Sequence, residues 1–154
     1  MKMVVGPDGV MVPLPAAFSG MPSPERVREL EDELLQMPQV MLQTEMIAHG
    51  RMAARTIFIP AGTTLTGVLV NHDNICIVSG DITVTTSEGP KRLTGFHVIP
   101  AGSGFKRAGI AHEDTWWTCL WHTDLTDPVE IENDMTDEAD RLQTRLALEN
   151  HAEK

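Results

Sequence analysis

Six histidines, His49, His72, His97, His112, His122 and His151, are the side chains with most scope for ligation or proton transfer. The densest polar group is Asn71-His72-Asp73-Asn74, a turn ahead of the apolar run Ile75-Cys76-Ile77-Val78. A transition-metal site needs three or four donors converging on one point, held in place by hydrogen bonds from behind. His112 and His122 cannot both join His72 from one unbroken strand, because ten residues at strand rise span roughly 33 Å. Ala111-His112-Glu113-Asp114-Thr115 gathers titratable groups at a strand start, which suits either an acid–base site or a hydrogen-bonded corner; the corner is the expectation. His72, Asn74, His112, Asp114 and His122 are therefore carried forward as candidate polar residues of a pocket or strand rim. No catalytic residue, metal or cofactor is expected.

Nucleophilic chemistry has no clear home. Cys119 lies mid-strand among tryptophans, where burial is expected to raise its pKa and leave it inert. Cys76 lies in a similar apolar run, and two cysteines make no disulfide framework, so both are expected as buried free thiols. There is no Gly-x-Ser-x-Gly elbow and no phosphate-cradling glycine loop ahead of a helix.

The elements that must position these groups read as short strands. Thr56-Ile57-Phe58-Ile59 is stopped by Pro60-Ala61-Gly62, and His97-Val98-Ile99 by Pro100-Ala101-Gly102, each a strand ending in a tight turn. Between them, Asn74–Val78 and Ile82–Thr86 fit two strands joined by a Ser79-Gly80-Asp81 turn, with Ile82 and Val84 on one face. Val40–Ile47 reads as a strand with His49-Gly50 as its turn. Thr115–His122 is the last strand, with Trp117, Cys119 and Trp121 on one face and Trp116, Thr118, Leu120 and His122 on the other. The first set is expected inward, packing with Ile82 and Val84.

Flanking segments differ in kind. Residues 1–22 carry four prolines and read as an extended arm, with Met11, Val12, Leu14 and Phe18 as apolar groups in need of a covering surface. A helix spans 23–38, with Ser23 as N-cap, Pro24 in its first turn and Pro38 as its stop. Its stripe Val27, Leu30, Leu34 and Met37 is expected against the barrel or a sister subunit. The barrel occupies 39–123, and 124–154 is an acidic helical tail. There Asp127 caps one short helix and Thr136 a second, with Ala139, Leu142 and Leu146 as its narrow stripe.

Charge is uneven. Of 22 acidic and 12 basic residues, the segment 123–154 holds ten acids and three bases, and Asp124–Asp140 carries eight carboxylates without a Lys or Arg. That run reads as a solvated tail or as an electrostatic contact with a basic partner. Either argues against nucleic-acid binding. No apolar run approaches membrane-spanning length, and the first residues lack a secretory signal pattern.

On these residues the chain resembles a cupin. Gly67-Val68-Leu69-Val70-Asn71-His72-Asp73-Asn74 through Gly80 resembles the first cupin motif, and Gly95 through Pro100-Ala101-Gly102 the start of the second. The resemblance implies a mainly β, jelly-roll barrel. It also implies a metal site, but Asn74 and Phe105 stand where the motifs place histidines, and Cys76–Ser79 lacks the motif's glutamate. A narrower resemblance over about 54–132 is similar to small cupin-like proteins of tailed bacteriophages. It rests on Ala54-Arg55-Thr56, Ile59-Pro60-Ala61-Gly62, Leu65-Thr66-Gly67, Val78-Ser79-Gly80, Lys106-Arg107, Ala111–Trp116, His122-Thr123-Asp124 and Thr126-Asp127.

The expectation from these readings is a non-enzymatic structural protein, a virion component decorating or cementing a phage capsid. It would partner itself as a dimer or trimer, and the phage capsid protein, in the virion or host cytoplasm. Met11, Val12, Leu14, Phe18, Val27, Leu30 and Leu34 would make the assembly contacts. The alternatives are a small-molecule-binding or metal-dependent cupin with a rearranged site, and a soluble phage factor acting on a host protein.

Overall fold

The computed structural model describes residues 23–145 together with the segments Met3–Val5 and Met11–Pro13. Those two segments, β1 and β2, pair antiparallel, with Val4 opposite Val12. The arm thus folds back on itself as a two-stranded ribbon here, where a plain extended segment was expected. Leu14 and Phe18 lie outside the described residues.

Helix α1 spans Pro24–Leu34. Ser23 accepts a hydrogen bond from the Arg26 N–H through its side chain, satisfying one of the free donors at the helix start. The barrel strands follow as β3 (Gln43–His49), β4 (Met52–Ile59), β5 (Thr64–Thr66), β6 (Asn74–Thr86), β7 (Gly89–Ala101), β8 (Ala108–Ala111) and β9 (Thr115–His122). They form one antiparallel sheet in the order β3-β4-β9-β6-β8-β5, with β7 on the other edge of β6.

The sheet curls because β6 and β7 are long and bent. The expected Ser79-Gly80-Asp81 turn is instead a corner within one continuous strand. Before it, Ile75–Ser79 pairs with β9; beyond it, Ile82–Val84 pairs with β8. Gly80 has φ +149, and a Cβ there would strike the Thr115 hydroxyl and come within 2.6 Å of the Asp114 carbonyl. Only glycine allows β9 to begin so close to the bend. The second Pro-Ala-Gly also differs from the expectation, since Pro100 and Ala101 still pair with Ile75 and Asn74. Among the described residues β7 has no neighbour but β6, so the missing proline N–H breaks no bond on its open side.

The core follows the expected parity. Trp117 packs in one cluster with Ile59, Cys76, Val78, Ile82 and Val84, while Trp116 is 45% exposed and stacks obliquely on Phe58. The stripe of α1 is seated on its own barrel, with Val27 and Leu30 buried against Ala108 and Ile110 and Leu34 packed beside them. Val27 and Leu30 are therefore unavailable as assembly contacts, because the intramolecular docking already removes them from water.

The acidic C-terminal run packs on the barrel through its apolar residues, while Asp124, Asp127, Glu130, Asp134, Asp137 and Asp140 are exposed, as a solvated run would be. Helix α2 spans Pro128–Met135, capped by Asp127, and buries Ile131 and Met135 beside Trp121 and Ala53. Where a helix was expected from Thr136, a 3-10 turn, Ala139–Arg141, comes first and residues 143–145 are helical; Ala139 and Leu142 are buried, and Leu146 lies outside the described residues. The carboxylates of Glu132 and Glu138 point back into the protein rather than out to a partner. Glu138 accepts from Lys106 Nζ (2.8 Å), Arg28 Nε (2.8 Å) and the Leu69 N–H (3.1 Å). Glu31 of α1 accepts from the same Lys106 Nζ (3.0 Å), from Thr66 Oγ1 (2.8 Å) and from Arg141. Helix, barrel and C-terminal segment are thus joined by one buried ion cluster around Lys106, whose side chain is wholly out of solvent.

Candidate functional site: the barrel cavity

The inward rows of the sheet enclose a cavity of about 140 Å³. Strand register builds its wall. Arg55 of β4 lies opposite Cys119 of β9, and Cys119 lies opposite Cys76 of β6, so one rung across the sheet reads Arg55–Cys119–Cys76. Trp117 and Trp121 flank Cys119 on the same face of β9, and Asn74 precedes Cys76 on β6. Leu65, Ile82, Val84 and Phe105 make much of the lining apolar. Arg107 adds a second guanidinium, 4.9 Å from the Phe105 ring centroid and donating to the Thr85 carbonyl (3.1 Å).

Two donors in this wall have no partner. Trp121 is 4% exposed, yet its Nε1–H meets no acceptor, and the Arg55 Nε–H is buried and equally unpartnered. Among the described residues the carboxylate close to Arg55 is Glu132, at 3.5 Å from its Nη2 and also 3.5 Å from Arg145 Nε. Burial pulls the Arg55 guanidinium below its ordinary pKa, and the nearby Glu132 and Cys119 pull it back up.

The thiols are in contact, with Sγ to Sγ at 3.7 Å, and Cys76 Sγ also donates to Asn74 Oδ1 (3.2 Å). The contact with Cys76 lowers the pKa of Cys119 against the effect of burial, assisted by Trp117, Arg55 and Arg107. The same contact, together with burial, pushes Cys76 up. Cys119 was expected to be raised and inert; its neighbours reverse the sign.

The sequence candidates do not converge. His72 Nε2 faces Asp134 Oδ2 (2.8 Å) on the C-terminal segment and does not line the cavity. Asn74 does line it, while its Nδ2 donates to the His72 carbonyl (3.1 Å). His112 Nε2 pairs with Thr83 Oγ1 (2.7 Å), and Asp114 accepts from the Ala61 N–H (2.9 Å). The 111–115 corner is thus built from hydrogen bonds. His122 ends β9 on the exposed face. Arg55, Arg107, Cys76, Cys119 and Trp121 were not singled out as site residues by the sequence reading. Arg55 carried a usable signal: it falls on the otherwise apolar alternation Ala53, Ile57, Ile59.

A metal, which the cupin resemblance brings into question, does not fit these residues. Among the described residues no three His, Cys, Asp or Glu side chains gather in a way that would hold an ion. The cavity lining contains no carboxylate or imidazole, and its two guanidiniums would repel a cation.

No protein-family model matches the chain, and no curated protein matches it in sequence. Solved structures resemble it at low identity. A cupin superfamily protein from Desulfitobacterium hafniense DCB-2 is 13% identical, covering 80% of this chain and 100% of its own, with a TM-score of 0.46. KdgF from Halomonas sp. is 20% identical over 57% of this chain and 86% of its own, with a TM-score of 0.46. A cupin-2 domain containing protein from Shewanella frigidimarina NCIMB 400 is 12% identical over 60% and 91%, with a TM-score of 0.43. Among the described residues no helix is long and apolar enough to cross a membrane. The chain is a mainly β protein with a curled antiparallel sheet.

Proposed function

We propose that this protein is a small-molecule-binding cupin-like barrel that works without a metal, its ligand a small apolar acid held in the cavity. The observation that carries this reading is the pair of buried, unpartnered donors, Arg55 Nε and Trp121 Nε1, on residues of a largely apolar wall. A buried N–H without an acceptor costs about 1–3 kcal/mol, so an acceptor supplied by a ligand returns that cost as affinity. A carboxylate matches the guanidinium in charge and geometry. About 140 Å³ of apolar space accommodates a group close to benzene in size. The lining has no carboxylate or imidazole to act as an ordinary general base, which favours binding over catalysis.

Benzoate is a direct probe. It should quench or shift the fluorescence of Trp117 and Trp121 saturably, and benzyl alcohol, of similar shape without the charge, should bind more weakly. Arg55→Leu should abolish that preference. Equal affinity for the acid and the alcohol would overturn the proposal.

A second reading, an oligomeric structural protein such as a virion decoration component, is favoured by the outer face of the same sheet. Phe96, Val98, Ile75 and Trp116 are exposed there, and Ser79, Ile77, Thr118, Leu120, Phe58 and Thr56 share the face with no charged residue among them. In a chain of net charge −10, this largely apolar face, which among the described residues carries a carboxylate at its β3 edge, Glu45, is a surface on which a second copy meets little repulsion. Phe96→Asp with Val98→Asp should then convert a dimer or larger assembly to a folded monomer in light scattering. A wild-type monomer at high concentration would overturn the oligomer. Absence from purified particles would overturn the virion role.

A further inference from the structure

We propose that Cys76 and Cys119 form a reversible disulfide in the cavity wall, closed by a small peroxide entering the cavity and reopened by a thiol reductant. The register places the two residues directly opposite on neighbouring antiparallel strands. Such pairs have Cα atoms about 4.5–5.5 Å apart, inside the span a disulfide bridges. The sulfurs are already 3.7 Å apart, so side-chain rotation can bring them to bonding distance while the strands stay paired. Both thiols line the cavity, which gives a peroxide access that a core cysteine lacks. Arg55 stands opposite Cys119 in the same rung and favours its thiolate.

The chemistry balances in two steps. The Cys119 thiolate attacks one peroxide oxygen and the O–O bond breaks. Hydroxide leaves and takes up the proton that Cys119 released, which yields a sulfenic acid and one water. Cys76 then attacks that sulfur; the S–O bond breaks, and the departing hydroxyl takes the Cys76 proton as a second water. The two sulfurs together lose two electrons and the peroxide gains them.

One consequence rests on the cavity-ligand reading above. Oxidation turns the ionisable Cys119 thiol opposite Arg55 into a neutral disulfide sulfur, so the oxidised barrel should bind benzoate more tightly than the reduced one.

The test uses the full reduced chain and equimolar hydrogen peroxide. Both thiols should become untitratable and the mass should fall by two hydrogens, without dimers, with full recovery in dithiothreitol. Cys76→Ser should instead accumulate a sulfenic acid at Cys119 that dimedone traps. Thiols that stay titratable in the folded wild type, or a gain of oxygen without a disulfide, would overturn the proposal, even if benzoate still binds. A disulfide that forms in a protein that never binds benzoate supports this proposal and overturns the cavity-ligand reading instead.

Discussion

Lys106 and Arg55 are both cations withdrawn from solvent in the same small barrel, and their surroundings differ in one respect. Lys106 lies between Glu31 and Glu138, each within 3.0 Å, and those carboxylates are filled by Arg141, Thr66, Arg28 and the Leu69 N–H. Arg55 has one carboxylate at 3.5 Å, shares it with Arg145, and leaves its Nε–H bare; the Nε1–H of Trp121, two residues along β9 from Cys119, is bare as well. A saturated cluster has nothing left to offer a ligand; its work is to fasten α1 and the C-terminal segment to the barrel. An unsaturated one, on residues that line a cavity, holds donors in reserve. The difference separates a structural ion cluster from a candidate binding site inside one core.

The largest effect that sharpens this contrast lies in the apolar part of the cavity wall. Trp117→Ala should destabilise by about 3–5 kcal/mol, whereas Trp116→Ala, on the exposed face, should cost under about 1 kcal/mol. Denaturant titration of the two variants checks the inward parity directly. Comparable losses at both positions would mean that the outer face is also covered.

Lys106→Ala should cost about 3 kcal/mol or more, because it leaves two buried carboxylates short of a partner. Combining Lys106→Met with Glu138→Gln should recover part of that loss. If Lys106→Ala melts like wild type, the cluster does not fasten the helix, and the contrast with Arg55 fails.

Acid should expose the cluster next. Burial alone would raise the Glu138 pKa, but hydrogen bonds from Lys106, Arg28 and the Leu69 N–H overcome it and hold the carboxyl at about 2, against an ordinary 4.5. A depressed folded pKa contributes stability that is complete above 4.5 and is lost as pH falls towards 2. Thermal melts across that window should show the decline, and Glu138→Gln should flatten it.

The smallest stability effect belongs to Arg55. Arg55→Leu removes a charge that was never fully paired, and Glu132 keeps Arg145 and a hydrogen bond from Thr144 Oγ1 (2.7 Å). The expected change is within about 1 kcal/mol of wild type, far less than at Lys106. A loss as large as that of Lys106→Ala would make Arg55 structural and remove its case as a ligand donor.

Local signals in the sequence settled local structure. The alternation of Trp117, Cys119 and Trp121 against Trp116, Thr118 and Leu120 set the faces of β9, because side chains in a strand alternate whatever the strand pairs with. Ser23 and Asp127 marked helix starts, because a cap acts within three residues. Tertiary pairing decided the rest. Ser79-Gly80-Asp81 reads as a turn in isolation and becomes a corner only because β9 and Thr115 arrive beside it, about 35 residues later. Cys76 and Cys119 are 43 apart in sequence and meet through register, as does Arg55 with Cys119. Lys106 chose Glu31 and Glu138 from opposite ends of the chain, and so tied part of an acidic segment that reads as solvated back onto the barrel. The faces of individual elements were legible because their periodicity is a property of the backbone, whereas which faces meet depends on contacts no single element contains.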